Sequence, residues 1–134
     1  GVALNTGAKD IKRENVKLKE KVDAGAKFAL TQIFFTWDIW ESFWDEFGSD
    51  PPIPVLFGVW PMTSFRLALR IHHEIPEISV PDQLLKKLEN AGSSAREVGW
   101  EIARQLFDES KKYMNGAYLV APYKRGESIL QLLD

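Results

Sequence analysis

The sequence predicts an α/β fold: four βα units whose strands form one parallel sheet covered by helices. Three observations predict it. Four short apolar stretches, Val2–Leu4, Phe28–Phe35, Pro54–Trp60 and Gly116–Val120, are bounded by Gly, Pro or Asn, the usual punctuation around buried strands. The segments between them have helical periodicity, which gives the order β-α-β-α-β-α-α-α-β-α. The strands are continuously apolar rather than alternating, as parallel strands covered on both faces are, and right-handed βαβ crossovers join such strands. Four units are half of the eight that close a barrel of about 250 residues. They are also nearly enough for a small open doubly wound sheet, and periodicity alone does not choose between the two.

Each element has its own reason. Arg13–Ala24 sets Val16, Leu18 and Val22 among four Lys and Arg residues, one dry stripe and one wet face. Trp37–Phe47 places Trp37, Trp40, Trp44 and Phe47 at i, i+3, i+7 and i+10, an aromatic face that reads as packing. Thr63–Ile71 is a helix entered through Thr63 or Ser64 as N-cap. Pro81–Leu88 and Ser94–Tyr113 follow, the latter turning Val98, Ile102, Leu106 and Phe107 inward, and Glu127–Leu133 forms a last short helix.

Composition bounds the function. A chain of 134 residues, 45% hydrophobic and 27% charged, makes one globular domain, residues 1–134, with a real core. A net charge of -2 gives no electrostatic footprint for nucleic acid or an anionic membrane surface. With no Cys there is no disulfide framework, thiolate catalysis or Cys-based metal site, and the composition suits a reducing cytoplasm. No apolar run approaches a membrane span. The chain opens at Gly1, without an initiator Met and directly at an apolar run, so a piece of a longer protein is expected.

Parallel sheets bind ligands at the carboxyl ends of their strands. Those ends are Asn5–Thr6, Thr31–Gln32, Trp60–Phe65 and Pro122–Arg125. Gln32 offers donors and an acceptor that match a heterocyclic amide edge, or else caps its strand end. Phe65 either stacks on a flat ligand or covers the core at a helix start. Arg125 suits a carboxylate or phosphate. His72 and His73 are adjacent, about 100° apart on a helix, with no third ligand at a matching interval, so no metal is expected. There is no GxGxxG, P-loop or Ser/His/Asp arrangement.

At this point several motifs come together. The run KLKEKVDAGAKFALTQIFF resembles a signature segment of methylenetetrahydrofolate reductases: a lysine-rich helix, then VDAGA, then a strand ending in TQ. IPVLFGVWPMTSF is similar to that family's later strand, with its Gly, Pro and small polar pair ending in Phe. The remainder, through GAYLVAPYKR, looks most like the reductase part of bacterial bifunctional homocysteine S-methyltransferase/methylenetetrahydrofolate reductases. Two departures stand out: TQ is followed by IFFTWD, with Asp38 displaced, and Phe57 replaces the family's Pro before Gly.

The resemblance implies a flavin-dependent (β/α)8 TIM barrel that binds FAD and reduces 5,10-methylenetetrahydrofolate with NAD(P)H. This chain would be its C-terminal half. Gln32 would bond the pterin, Phe65 would stack on folate or nicotinamide, and Arg125 would steady the folate's distal part. Lys21 would meet the FAD phosphates or ribityl chain, with Lys17, Glu14 and Asn5 as further cofactor contacts. The family's proton-donating acid and flavin-facing Asp belong to strands outside this chain, so no catalytic residue is assigned and the isolated chain is expected to be inactive. Bare sheet edges would recruit the missing N-terminal half-barrel or a second copy. A non-catalytic half-barrel or flavodoxin-like binding module is the alternative.

Overall fold

The computed structural model describes residues 1–120. Its elements are β1 (Val2–Leu4), α1 (Ile11–Asp23), β2 (Ala29–Thr31), α2 (Trp37–Phe47), β3 (Val55–Val59), α3 (Phe65–Glu74), α4 (Asp82–Ala91), α5 (Ala95–Ser110) and β4 (Gly116–Leu119). A 3-10 turn, Gly92–Ser94, joins α4 to α5. The expected element order holds throughout these residues. The expected helix Glu127–Leu133 lies outside them.

The four strands form one sheet in the order β1-β2-β3-β4, every neighbouring pair parallel. That order decides between the two architectures. A doubly wound sheet reverses direction at a switch point, whereas a barrel adds each strand beside the previous one. The chain is therefore four consecutive βα units of the barrel type. Helices cover one face, where Leu4, Ala29, Val55, Phe57 and Val59 meet Leu18 of α1, Phe43 and Trp44 of α2 and Trp100 of α5. The register aligns Ala3 with Leu30 and Leu30 with Leu56, and Gly58 with Tyr118, all on the opposite face.

Phe57, where the resemblance implies Pro, is fully buried and packs its ring 4.8 Å from Phe34 and 4.9 Å from Trp37. The Trp-rich face of α2 packs as expected, with Phe43 added at its centre. A second cluster joins Ile33 and Met62 to α3, α4 and the start of α5 through Ala68, Ile71, Leu84, Leu88 and Ala95.

Several expected boundaries and faces are corrected. β2 ends at Thr31 instead of Phe35, because side chains take over the strand's hydrogen bonds there. Thr31 Oγ1 accepts from the Gly58 amide at 3.0 Å, and Gln32 Oε1 accepts from the Ile33 amide at 2.9 Å. Phe28 is left exposed at its start. In α1 the buried side runs Ile11, Asn15, Leu18 and Val22, and Val16 is 54% exposed, one residue out of phase with the expected stripe. In α5, Val98, Ile102, Leu106 and Phe107 do pack inward against the two clusters, half-buried, while Ala95, Gly99, Trp100, Ala103 and Ser110 are the fully buried residues.

Candidate functional site

The signature VDAGA is a helix stop. The Gly25 amide donates to Val22 O and the Ala26 amide to Lys21 O, each at 3.0 Å, with Gly25 at φ 101. This paired 5→2 and 6→1 closure requires a left-handed residue, which glycine supplies without a Cβ penalty. It turns the chain sharply into β2 and delivers Gln32 to the sheet's carboxyl end. The Gln32 amide continues the ladder by donating to Leu4 O at 2.8 Å. Its side chain stays half-buried at the rim, neither sealed in the core nor on the amino-terminal side.

The loop from β1 to α1 is built by its own polar groups. Asn5 Oδ1 accepts from the Gly7 amide at 3.2 Å, and Asp10 caps α1 by accepting from the Arg13 amide at 3.0 Å. Glu14 reaches back from α1 to accept from the Asn5 amide at 3.0 Å. Lys21 Nζ, in the last turn of α1, donates to Ala3 O at 2.8 Å. The helix is thus tied to the edge strand by two side chains.

These contacts frame a groove of about 760 Å³ across the carboxyl ends of β1 and β2. One wall is the polar edge of α1 with the loop that leads into it, carrying Lys9, Arg13, Glu14, Lys17 and Lys21. The floor includes Leu30 and Tyr118, and Gln32 meets Glu77 at the far side. Gln32 Nε2 donates to Glu77 Oε2 at 2.9 Å. Tyr118 Oη donates to Thr31 O, and burial raises its phenol above the ordinary value of 10.0. Among the described residues no three His, Asp or Glu side chains gather around a possible metal position. No helix among them is long and apolar enough to cross a membrane.

The groove thus brings together Asn5, Glu14, Lys17, Lys21 and Gln32 of the residues expected from sequence. Phe65 is not among its lining residues. It opens α3 half-buried and packs against the second cluster, because the Ser64 cap fixes the helix start there by accepting from the Leu67 amide at 3.0 Å. Arg125 lies outside the described residues. Sequence reasoning missed Glu77 and Tyr118, as well as Lys9 and Arg13. The last two continue the spacing of Lys17 and Lys21 at every fourth residue, a signal that was readable.

A groove of mixed charge and partly apolar floor at the carboxyl ends of a singly wound parallel sheet lies where α/β barrels hold their ligands. The sequence profile described as methylenetetrahydrofolate reductase matches residues 3–120, and the chain belongs to that family. It is 33% identical over 117 residues to "Methylenetetrahydrofolate reductase 2" of Saccharomyces cerevisiae, a match taking in 83% of this chain and 18% of the yeast protein. It is 31% identical over 100 residues to "5,10-methylenetetrahydrofolate reductase" of Buchnera aphidicola subsp. Baizongia pistaciae, covering 72% of this chain and 34% of that protein. The fold is similar to a Clostridium thermocellum protein, described as uncharacterized and binding two copies of 5-methyl-5,6,7,8-tetrahydrofolic acid. The TM-score is 0.62 at 16% identity, over 99% of this chain and 50% of that one. The chain therefore spans half or less of each of these relatives.

Proposed function

We propose that this chain is the C-terminal half-barrel of a methylenetetrahydrofolate reductase and supplies part of its folate- and flavin-binding wall. The complete enzyme would reduce 5,10-methylenetetrahydrofolate to 5-methyltetrahydrofolate in cytoplasmic one-carbon and methionine metabolism, and would resemble the reductase part of bacterial bifunctional enzymes. The observation that carries this is the convergence of Gln32 with Asn5, Glu14, Lys17 and Lys21 on one groove, in a chain of this family. Gln32 keeps a free N–H and a free carbonyl lone pair after its two internal bonds, enough to pair with a pterin amide edge.

The groove's donor set suits FAD. Lys9, Arg13, Lys17 and Lys21 outnumber Asp10 and Glu14 on the α1 wall, which favours a diphosphate there. Lys21 is already bonded to Ala3 O, but an ammonium has three N–H donors and serves an anion as well. Bound FAD would carry hydride from NAD(P)H to the folate. The chain's own residues orient the two ligands: Leu30 and Tyr118 offer an apolar floor, Gln32 fixes the heterocycle, and the lysines hold the charged end.

Proton donation is a different matter. Of the groove's carboxylates, Asp10 accepts from the Arg13 amide, Glu14 from the Asn5 amide and Glu77 from Gln32. Each is committed to a structural bond, which supports catalytic incompleteness of the isolated chain and keeps a non-catalytic folate-binding module as the second reading. Calorimetric titration with 5-methyltetrahydrofolate tests the proposal. The native chain is expected to bind it, and Gln32→Ala to weaken binding about tenfold, in line with a lost hydrogen bond that leaves its partner unpaired. Equal affinities would remove Gln32 from the site.

A further inference from the structure

We infer that Glu77 fixes the orientation of the Gln32 carboxamide and thereby makes the groove select a 4-oxo over a 4-amino pteridine ring. The inference rests on the folate assignment above. Glu77 is exposed in the loop between α3 and α4, 45 residues from Gln32 in sequence, and its Oε2 accepts from Gln32 Nε2 at 2.9 Å. On the other side, the Ile33 amide donates to Gln32 Oε1 at 2.9 Å. A carboxylate can only accept and a backbone amide can only donate. Rotating the carboxamide by half a turn would set its oxygen against the carboxylate and its NH2 against the Ile33 N–H. Two hydrogen bonds would become two repulsive contacts, so one orientation survives.

The loop that carries Glu77 is held in place. Ile78 and Val80 are buried in the second cluster, and the Val80 amide donates to His72 Nδ1 at 3.1 Å. The Ile78 amide donates to Ile75 O at 3.1 Å. An exposed carboxylate between such anchors has a defined position. Both Glu77 and Gln32 line the groove, and both also line the small recess beside it with Asn5 and Ile39.

A 4-oxo pteridine presents an N3–H donor beside an O4 acceptor. Its 4-amino analogue presents an N3 acceptor beside an NH2 donor, the same edge with its polarity reversed. A carboxamide free to turn pairs with either. One held by Glu77 pairs with a single polarity, and the mismatched ring leaves polar groups unpaired, which a site built for hydrogen bonding rejects strongly. Glu77 is a positioning residue: it acts through Gln32.

The chain is titrated with folic acid and with 4-amino-4-deoxyfolic acid, which differ at that ring position. The native chain is expected to favour folic acid by about tenfold, the scale of one unpaired buried polar group. Glu77→Gln, whose amide can turn in concert with Gln32, brings the two affinities to within about threefold. Glu74→Gln removes an equal charge from the neighbouring helix and leaves the native ratio. A merely structural role for Glu77 would move both affinities together and leave the ratio. A native ratio near one, or a ratio that Glu77→Gln does not change, overturns the inference. If the native chain binds no folic acid, the folate assignment falls, and the side-chain amide NMR signals of Gln32 then decide the orientation alone. A native Gln32 Nε2 proton shifted downfield, and returned to the ordinary position in Glu77→Ala, supports the lock; an unchanged signal ends it.

Discussion

Gly58, Thr31 and Tyr118 form a short chain of bonds that stitches three strands at the groove. Tyr118 of β4 donates to Thr31 O of β2, and Thr31 Oγ1 accepts from Gly58 of β3. Tyr118→Phe is expected to lower unfolding stability by about 1 kcal/mol, measured by urea titration. The phenol must keep its proton to donate. Burial raises its folded pKa above the unfolded value, so this contribution is complete below the ordinary value of 10.0 and is lost as pH rises through the raised one. Stability of the native chain should therefore fall more steeply than that of Tyr118→Phe at alkaline pH. Gln32 was legible as a carboxamide closing an apolar run. Glu77 was not, because only the tertiary path of the α3–α4 loop brings it to a residue so distant in sequence. Val16 was misplaced for a related reason: apolarity suggested the dry stripe, but Asn15 took that position and its Oδ1 has no partner among the described residues.

The elements were legible in order because their punctuation has physical force. Ser64 was one of two candidate caps, and its hydroxyl makes the bond. Ser64→Ala should cost about 1 kcal/mol of stability. Gly25→Ala should cost about 1 kcal/mol as well, because φ 101 puts a Cβ against the following carbonyl with no neighbouring group to relieve it. Gly99→Ala belongs to another class. A Cβ there would collide with the backbone carbonyl of Met62, its carbon 2.6 Å away, so α5 would have to move off the β3–α3 loop. Thermal denaturation should show a far larger loss for Gly99→Ala than for Gly25→Ala, and the reverse order would contradict the packing described. The end of β2 was not legible, because side-chain acceptors replace ladder bonds there while the apolar run continues.

At the scale of the whole molecule, strand order is a long-range property that no local pattern encodes, which is why a doubly wound sheet stayed open on sequence alone. The observed order leaves β1 and β4 as the two outer strands among the described residues. Lys21 donates to Ala3 O on the outer side of β1, and Tyr118 of β4 lies on the groove floor. Such edges seek partners, and light scattering after size exclusion should show association, either with a second copy or, on the half-barrel proposal, with an N-terminal half supplied in trans. A clean monomer at high concentration that ignores the added half would contradict this. Added FAD should shift its visible spectrum if the α1 wall holds its diphosphate.

On the function proposed, the groove at the carboxyl ends of β1 and β2 is the folate site, and amide NMR of the chain titrated with 5-methyltetrahydrofolate tests that assignment residue by residue. Shifts should concentrate on Asn5, Glu14, Lys21, Gln32 and Glu77. Shifts gathered instead at the opposite rim, around Trp40, Ile53 and Tyr113, or none anywhere, would contradict it.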